Sequence, residues 1–166
     1  MLSERGKFVR HFRVQVGVYG DAERAKSLLE SRGRRLDPRA YQLLRRHYES
    51  FLIGERFLDL VVCSGRDLDL CGNHPGPTTK QIFEAGKSHG FTLCPPEVGV
   101  ALSLEYPHQP HGEQLRIAMP GVSYLYGHDV LVVGHDNNVH YLSVCEAGEY
   151  GPHHVGNKWV FVRPQK

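Results

Sequence analysis

Four cysteines and eleven histidines give this chain of 166 residues ample ligands for a metal ion. Cys71-x2-His74 has the spacing of a chelating knuckle, and His108-x2-His111 sits in a loop stiffened by Pro107 and Pro110. Zinc asks for three or four such nitrogens and thiolates in a tetrahedron. No second Cys-x2-Cys or His-x3-His completes an array, and His153-His154 reads equally well as two solvent-exposed imidazoles. The expectation is no resident cofactor, with zinc on Cys71, His74, His108 and His111 as the alternative. The thiols raise a second chemistry, because a nucleophilic cysteine needs a base or a helix N-terminus to lower its pKa. Cys71 precedes a capped helix and has His74 beside it, while Cys94 follows that helix with Glu97 near. A zinc- or cysteine-dependent hydrolase on Cys94, Cys71 and His74 is thus the enzyme alternative, and it requires those groups to converge. The ordinary role of cysteine is a small buried hydrophobe, so no catalytic residue is assigned.

Carboxylates and phosphate loops add little. Asp67 and Asp69 share a face only in an extended segment, and Glu97 stands in a proline-rich loop. No two carboxyls are set in contrasting environments as acid–base work requires. Glu105 and Arg116 read as a cross-strand ion pair, worth about 0.2–1 kcal/mol. Neither GxxxxGK[ST] nor GxGxxG after a strand is present.

Charge is uneven along the chain. Residues 1–56 hold 13 Lys/Arg against 7 Asp/Glu, whereas residues 57–166 hold 7 against 11. Arg32, Arg34, Arg35, Arg39, Arg45 and Arg46 crowd one short stretch. Guanidinium groups fork onto phosphate oxygens, so nucleic acid bound through Arg34, Arg35, Arg39 and Arg46 is the second alternative. The plainer account is a wet helix face paired with the acidic second half. The sequence pI of 8.4 lies below the usual footprint of a nucleic-acid domain.

The elements that must position these groups follow from periodicity. Phe12, Val14, Val16 and Val18 alternate with polar residues as a half-buried strand does. Asp21 caps a helix carrying Ala22, Ala25, Leu28 and Leu29 on one face, stopped by Gly33. Asp37-Pro38 opens a second helix, whose stripe runs from Ala40 through Tyr48, Phe51 and Leu52 to Gly54. A strand is expected at 57–63. Thr78 and Gln81 form a capping box that starts a third helix, weakened by Gly86 and ended by Gly90. From there strands alone are expected. Leu102–Tyr106 and Leu115–Met119 read as one hairpin, Val130–His135 and Val139–Cys145 as another turning at Asp136-Asn137-Asn138, and Trp159–Val162 as the last strand.

The segment from Cys71 onward carries Pro77-Thr78-Thr79, Gly90-Phe91-Thr92-Leu93-Cys94-Pro95-Pro96-Glu97-Val98-Gly99, Leu102–Tyr106, Gln109–Glu113, Leu115–Met119 and Trp159–Val162. This pattern resembles a recurring domain of uncharacterised bacterial proteins and covers roughly half of the chain. The resemblance implies a bacterial, cytoplasmic setting. It brings no activity, so no catalytic or binding residue carries over.

Mean hydropathy of −0.39 with 40% hydrophobic residues describes a globular chain. No apolar run approaches a membrane span, and Met1-Leu2-Ser3-Glu4-Arg5 does not open a signal peptide, so free thiols in the cytoplasm are expected. The fold class expected is α+β, with helices mainly in the first half and an antiparallel sheet of hairpins in the second. One domain over 1–166 is expected, the alternative being sub-lobes 1–70 and 71–166. The function expected is a non-catalytic binding or interaction domain for a protein or small ligand, with no membrane partner. Its face is expected at the Cys71–Pro77, Cys94–Glu97 and His108–Glu113 loops, since sites favour loops on a rigid scaffold.

Overall fold

A computed structural model describes residues 10–47, 54–120, 122–123, 128–147 and 151–165. β1 (Arg10–Val16) buries Val14 and Val16 on one side, as its alternation predicts. Asp21 then caps α1 (Ala22–Ser31) by accepting the Arg24 N–H at 2.8 Å. Gly33, at φ +69°, turns the chain out of the helix. After the two-residue β2 (Arg35–Leu36), Asp37 caps α2 (Pro38–Arg46). The rest of the expected stripe, Tyr48, Phe51 and Leu52, lies outside the described residues. β3 (Arg56–Ser64) follows. The capping box forms at α3 (Thr79–Ser88): Gln81 N–H donates to Thr78 Oγ1 at 3.1 Å and Thr78 N–H to Gln81 Oε1 at 2.9 Å.

The next element corrects the sequence reading. Residues 102–106 are not a strand; α4 (Glu97–Glu105) occupies this stretch. Every residue from Glu97 to Ser103 is buried. A helix covered on all sides needs no polar face, so its sequence lacks the 3.6-residue period, and Leu102 and Leu104 imitate an alternation of two. The hairpin expected between this stretch and Leu115–Met119 is therefore replaced by a helix and a strand. Among the described residues, helices occur in both halves, α1 and α2 before β3 and α3 and α4 after it.

The remaining strands are β4 (Gln114–Ile117), β5 (Val122–Ser123), β6 (His128–Asp136), β7 (Val139–Ala147) and β8 (Lys158–Arg163). The β6–β7 hairpin turns where expected, with Asn137 and Asn138 at φ +48° and +61°. All eight strands join one sheet in the order β1-β3-β8-β4-β6-β7-β2, with β5 beside β6. The sheet is mixed: β4 runs parallel to β8, and β2 parallel to β7. The expected antiparallel sheet of hairpins is met only in part, since β8 lies between β3 and β4 and runs parallel to β4.

Alternation on each strand assigns two faces. Leu115, Ile117, Leu131 and Leu142 lie on the side packed by α4, where Gly99 approaches Leu131 and Leu142. Trp159 and Phe161 lie on the other side under α3, with Phe83 edge-on to both. Two buried carboxylates lock this assembly. Glu97, 1% exposed, accepts the Gly17 N–H on both oxygens at 2.9 and 3.0 Å, which ties the β1–α1 turn to α4. Glu113 binds the Arg10 guanidinium and accepts from Lys158 Nζ at 3.2 Å, joining β1, β4 and β8.

Two predictions follow from this packing. A Cβ at Gly86 would stand 2.4 Å from Phe161 Cε1. Although alanine gains about 1 kcal/mol over glycine in a helix, Gly86→Ala is expected to lose a net ~1–3 kcal/mol by overpacking, measured as a lower urea midpoint. Burial alone would raise the Glu113 carboxyl, but the hydrogen bond and charge of Arg10, with Lys158, hold it below its usual value. Its contribution is therefore complete above the unfolded carboxyl pKa and lost as pH falls through the lower folded value. Glu113→Gln should cost about 2–3 kcal/mol at neutral pH, less than a fully buried pair because Arg10 is a third exposed. The same variant should flatten the acid limb of a stability–pH curve.

Candidate functional site

The residues with the most chemistry in the sequence differ in burial. Cys71, His74, His108 and His111 are exposed, whereas Cys94 is 1% exposed and its Sγ donates to the Val160 carbonyl at 3.4 Å. Burial pushes the Cys94 thiol well above its ordinary value and the Cys63 thiol up to about 12. Among the described residues no group of three or more His, Cys, Asp and Glu side chains is placed to hold a metal ion. Each of the three expected loops is tied to a different segment. Pro77 accepts the His153 N–H, Cys94 N–H donates to Ala118, and Gly112 N–H donates to His135. His111 joins a different group at the β6–β7 turn, where His135 and His140 stack with centroids 4.0 Å apart.

The basic stretch is largely engaged within the protein. Arg34 Nε donates to the Ser103 carbonyl of α4 at 2.7 Å. Arg35 lies over the Tyr141 ring, and Arg39 pairs with Asp37 and Glu146. Arg46 is also in contact with a neighbouring group. Asp67 closes the turn after β3 by accepting the Ser64 N–H at 2.7 Å. Glu97 opens α4 and is not in a loop, and burial raises its carboxyl against the pull of the Gly17, Tyr19 and Val18 amides.

One further correction exposes the site. Glu105 does not face Arg116 across a strand pair. It ends α4, on the opposite side of the sheet, and accepts from Tyr19 Oη at 3.3 Å. Arg116 is left on the α3 side of β4, directly beside Trp159 of β8 in the parallel register and Val132 of β6 in the antiparallel one. Its Nε is buried without a hydrogen-bond partner, and so is Nε1 of the fully buried Trp159. No ion pair among the described residues includes Arg116.

A histidine completes the niche. The segment after β7 returns along the start of α3, with a bridge between Thr78 and Pro152 and the His153 N–H on the Pro77 carbonyl at 2.8 Å. Gly76 is required there, since a Cβ would lie 2.0 Å from the His153 carbonyl oxygen. This places the 9%-exposed His153 ring edge-on to Trp159 at 5.1 Å, with Nε2 at 2.7 Å from Thr79 Oγ1. Burial, and then the charge of Arg116, lower the His153 pKa and favour the neutral ring. The niche offers a permanent cation, an indole N–H and a held imidazole. The Thr79 hydroxyl that touches the imidazole is itself buried, at 1% exposed.

The sequence carried one weak signal of this site: a single arginine, Arg116, in the otherwise apolar run Leu115–Met119. Alternation assigns such a residue to solvent, whereas the packed structure leaves Arg116 half-buried beside Trp159. Burial also sets the order of thiol reactivity. Under native conditions Cys71 should react with a disulfide reagent first, half-buried Cys145 more slowly, and Cys63 and Cys94 only in denaturant. Native labelling of Cys94 would contradict this placement. Comparison with protein-family models, with curated proteins and with solved structures returns no match to this chain.

Proposed function

We propose that this chain is a binding domain without chemistry of its own, whose ligand lodges on the α3 side of the sheet where Arg116, Trp159 and His153 meet. The observation that carries this reading is the buried Arg116 Nε. Elsewhere the protein partners its buried and half-buried charges with care: Glu113 has Arg10 and Lys158, Glu97 has backbone amides, and Arg34 has the Ser103 carbonyl. Of the buried polar atoms without a partner among the described residues, Arg116 Nε is the one on a permanently charged side chain. A buried donor left unmade costs about 1–3 kcal/mol, and more when charged. Proteins keep such losses mainly where function needs the group.

The reading makes a prediction about stability that needs no knowledge of the ligand. A structural arginine lowers stability when removed, whereas one held for binding raises it. Arg116→Met keeps the apolar stem and discards the unsatisfied donors. It should raise the Tm of the ligand-free protein by roughly 2–6 °C, given about 2–4 °C per kcal/mol at this chain length. A fall in Tm would make Arg116 a structural residue and remove the basis for the site.

A further inference from the structure

Resting on that reading, we infer that the ligand presents an oxyanion, the carboxylate or phosphate group of a small molecule, to Arg116 and Trp159, and that His153 takes up one proton from solvent as it binds.

The class of ligand follows from the inventory of atoms. Guanidinium and indole nitrogens donate and do not accept, so whatever satisfies Arg116 Nε–H and Trp159 Nε1–H must accept. A neutral carbonyl would satisfy the geometry yet leave the guanidinium charge uncompensated in a partly buried setting. An oxyanion compensates it and forms the shorter, stronger charge-assisted bonds. Size follows from burial. Trp159 is fully buried and Arg116 only partly exposed, so the acceptor has to reach below the surface. A small molecule meets that condition more readily than an acidic side chain on a folded partner.

Proton uptake follows from the same charges. The His153 ring packs edge-on to the Trp159 ring of β8 and touches the Thr79 hydroxyl of α3, its backbone N–H donates to the Pro77 carbonyl before α3, and the charge of Arg116, beside Trp159 on β4, acts on it. The adjoining His154 is exposed, its Nδ1 accepts the Gly156 N–H at 3.0 Å, and Arg66 lies close to that turn. Arg116 is the charged group whose field acts on the His153 ring, and it opposes imidazolium. An oxyanion beside Arg116 reverses the sign of the field and favours the protonated ring. By linkage the anion then binds more tightly as pH falls.

Trp159 is the single tryptophan of the chain, so its fluorescence and its indole N–H resonance report this site alone. The full chain is titrated at constant ionic strength with sulfate, which does not itself titrate between pH 5.5 and 8, and in parallel with acetate and inorganic phosphate. The expected result is a saturable change with one equivalent bound, a shifted indole N–H resonance, and at least a tenfold loss of affinity in Arg116→Met. Acetate and phosphate separate the two sources of the oxyanion. Sulfate affinity should rise by up to tenfold per pH unit on acidification. Calorimetry in buffers of different ionisation enthalpy should count close to one proton taken up, and His153→Gln should bind with a flat pH profile.

Each failure points to a different part of the inference. No saturable change with any of the three anions, with Arg116→Met more stable than the parent, overturns the oxyanion and leaves the binding site standing. Equal binding by Arg116→Met overturns the placement of the anion. Sulfate binding without proton uptake overturns the role of His153. A lower Tm for Arg116→Met removes the underlying site. The proton count on the unmodified chain decides the His153 step even if His153→Gln does not fold.

Discussion

The backbone hydrogen bonds of β8 hold the two halves of this protein together. β8 pairs antiparallel with β3, whose other neighbour is β1, and parallel with β4, whose other neighbour is β6. Without these six residues near the end of the chain, the sheet would fall into separate pieces on either side. Such a join is made between residues far apart in sequence, so its loop-closure cost must be met by burial. β8 meets it with Trp159, Val160 and Phe161, all fully buried, which point alternately into the layers on the two faces.

The same join creates the candidate site. Placing β8 beside β4 in parallel register sets Trp159 next to Arg116, and Phe83 of α3 packs edge-on to Trp159. Placing α4 on the far face takes Glu105 away, and with it the carboxylate that the linear sequence seemed to offer Arg116. In the proposed reading, stability and binding pull on one residue in opposite directions. Leu115 and Ile117 are buried against the α4 layer, while Arg116 between them sits among buried groups with its Nε unpaired. Half-buried Arg10 has a carboxylate and a tyrosine hydroxyl within reach of its guanidinium. That contrast separates an arginine that holds the fold from one available to something else.

Much of the local structure is legible in the residues themselves. The Asp21 and Asp37-Pro38 caps, the Thr78–Gln81 box, the Asn137-Asn138 turn and the alternation of β1 all stand where their chemistry puts them. The misreadings share one cause. α4 and Arg116 both occur where a second layer covers what is usually a wet side, so the polarity pattern that marks solvent is missing or misleading. Cys94 takes the ordinary buried role of cysteine although it stands beside two prolines, with its thiol donating to the Val160 carbonyl.

The sequence by itself determined the helix starts, the tight turns, the half-buried strands and the stock of groups able to bind. These depend on forces acting within a few residues: a capping oxygen reaching an orphan amide, a backbone tolerant of positive φ, a side chain pointing to one face. Tertiary structure alone decided that residues 97–105 are a helix, that β4 and β8 run parallel, and that Arg116 meets His153 and Trp159 instead of Glu105. Each of these depends on which surfaces cover each other. Burial turns an ordinary surface arginine into an uncompensated cation, and it is a property of the packed layers, not of the chain read in order.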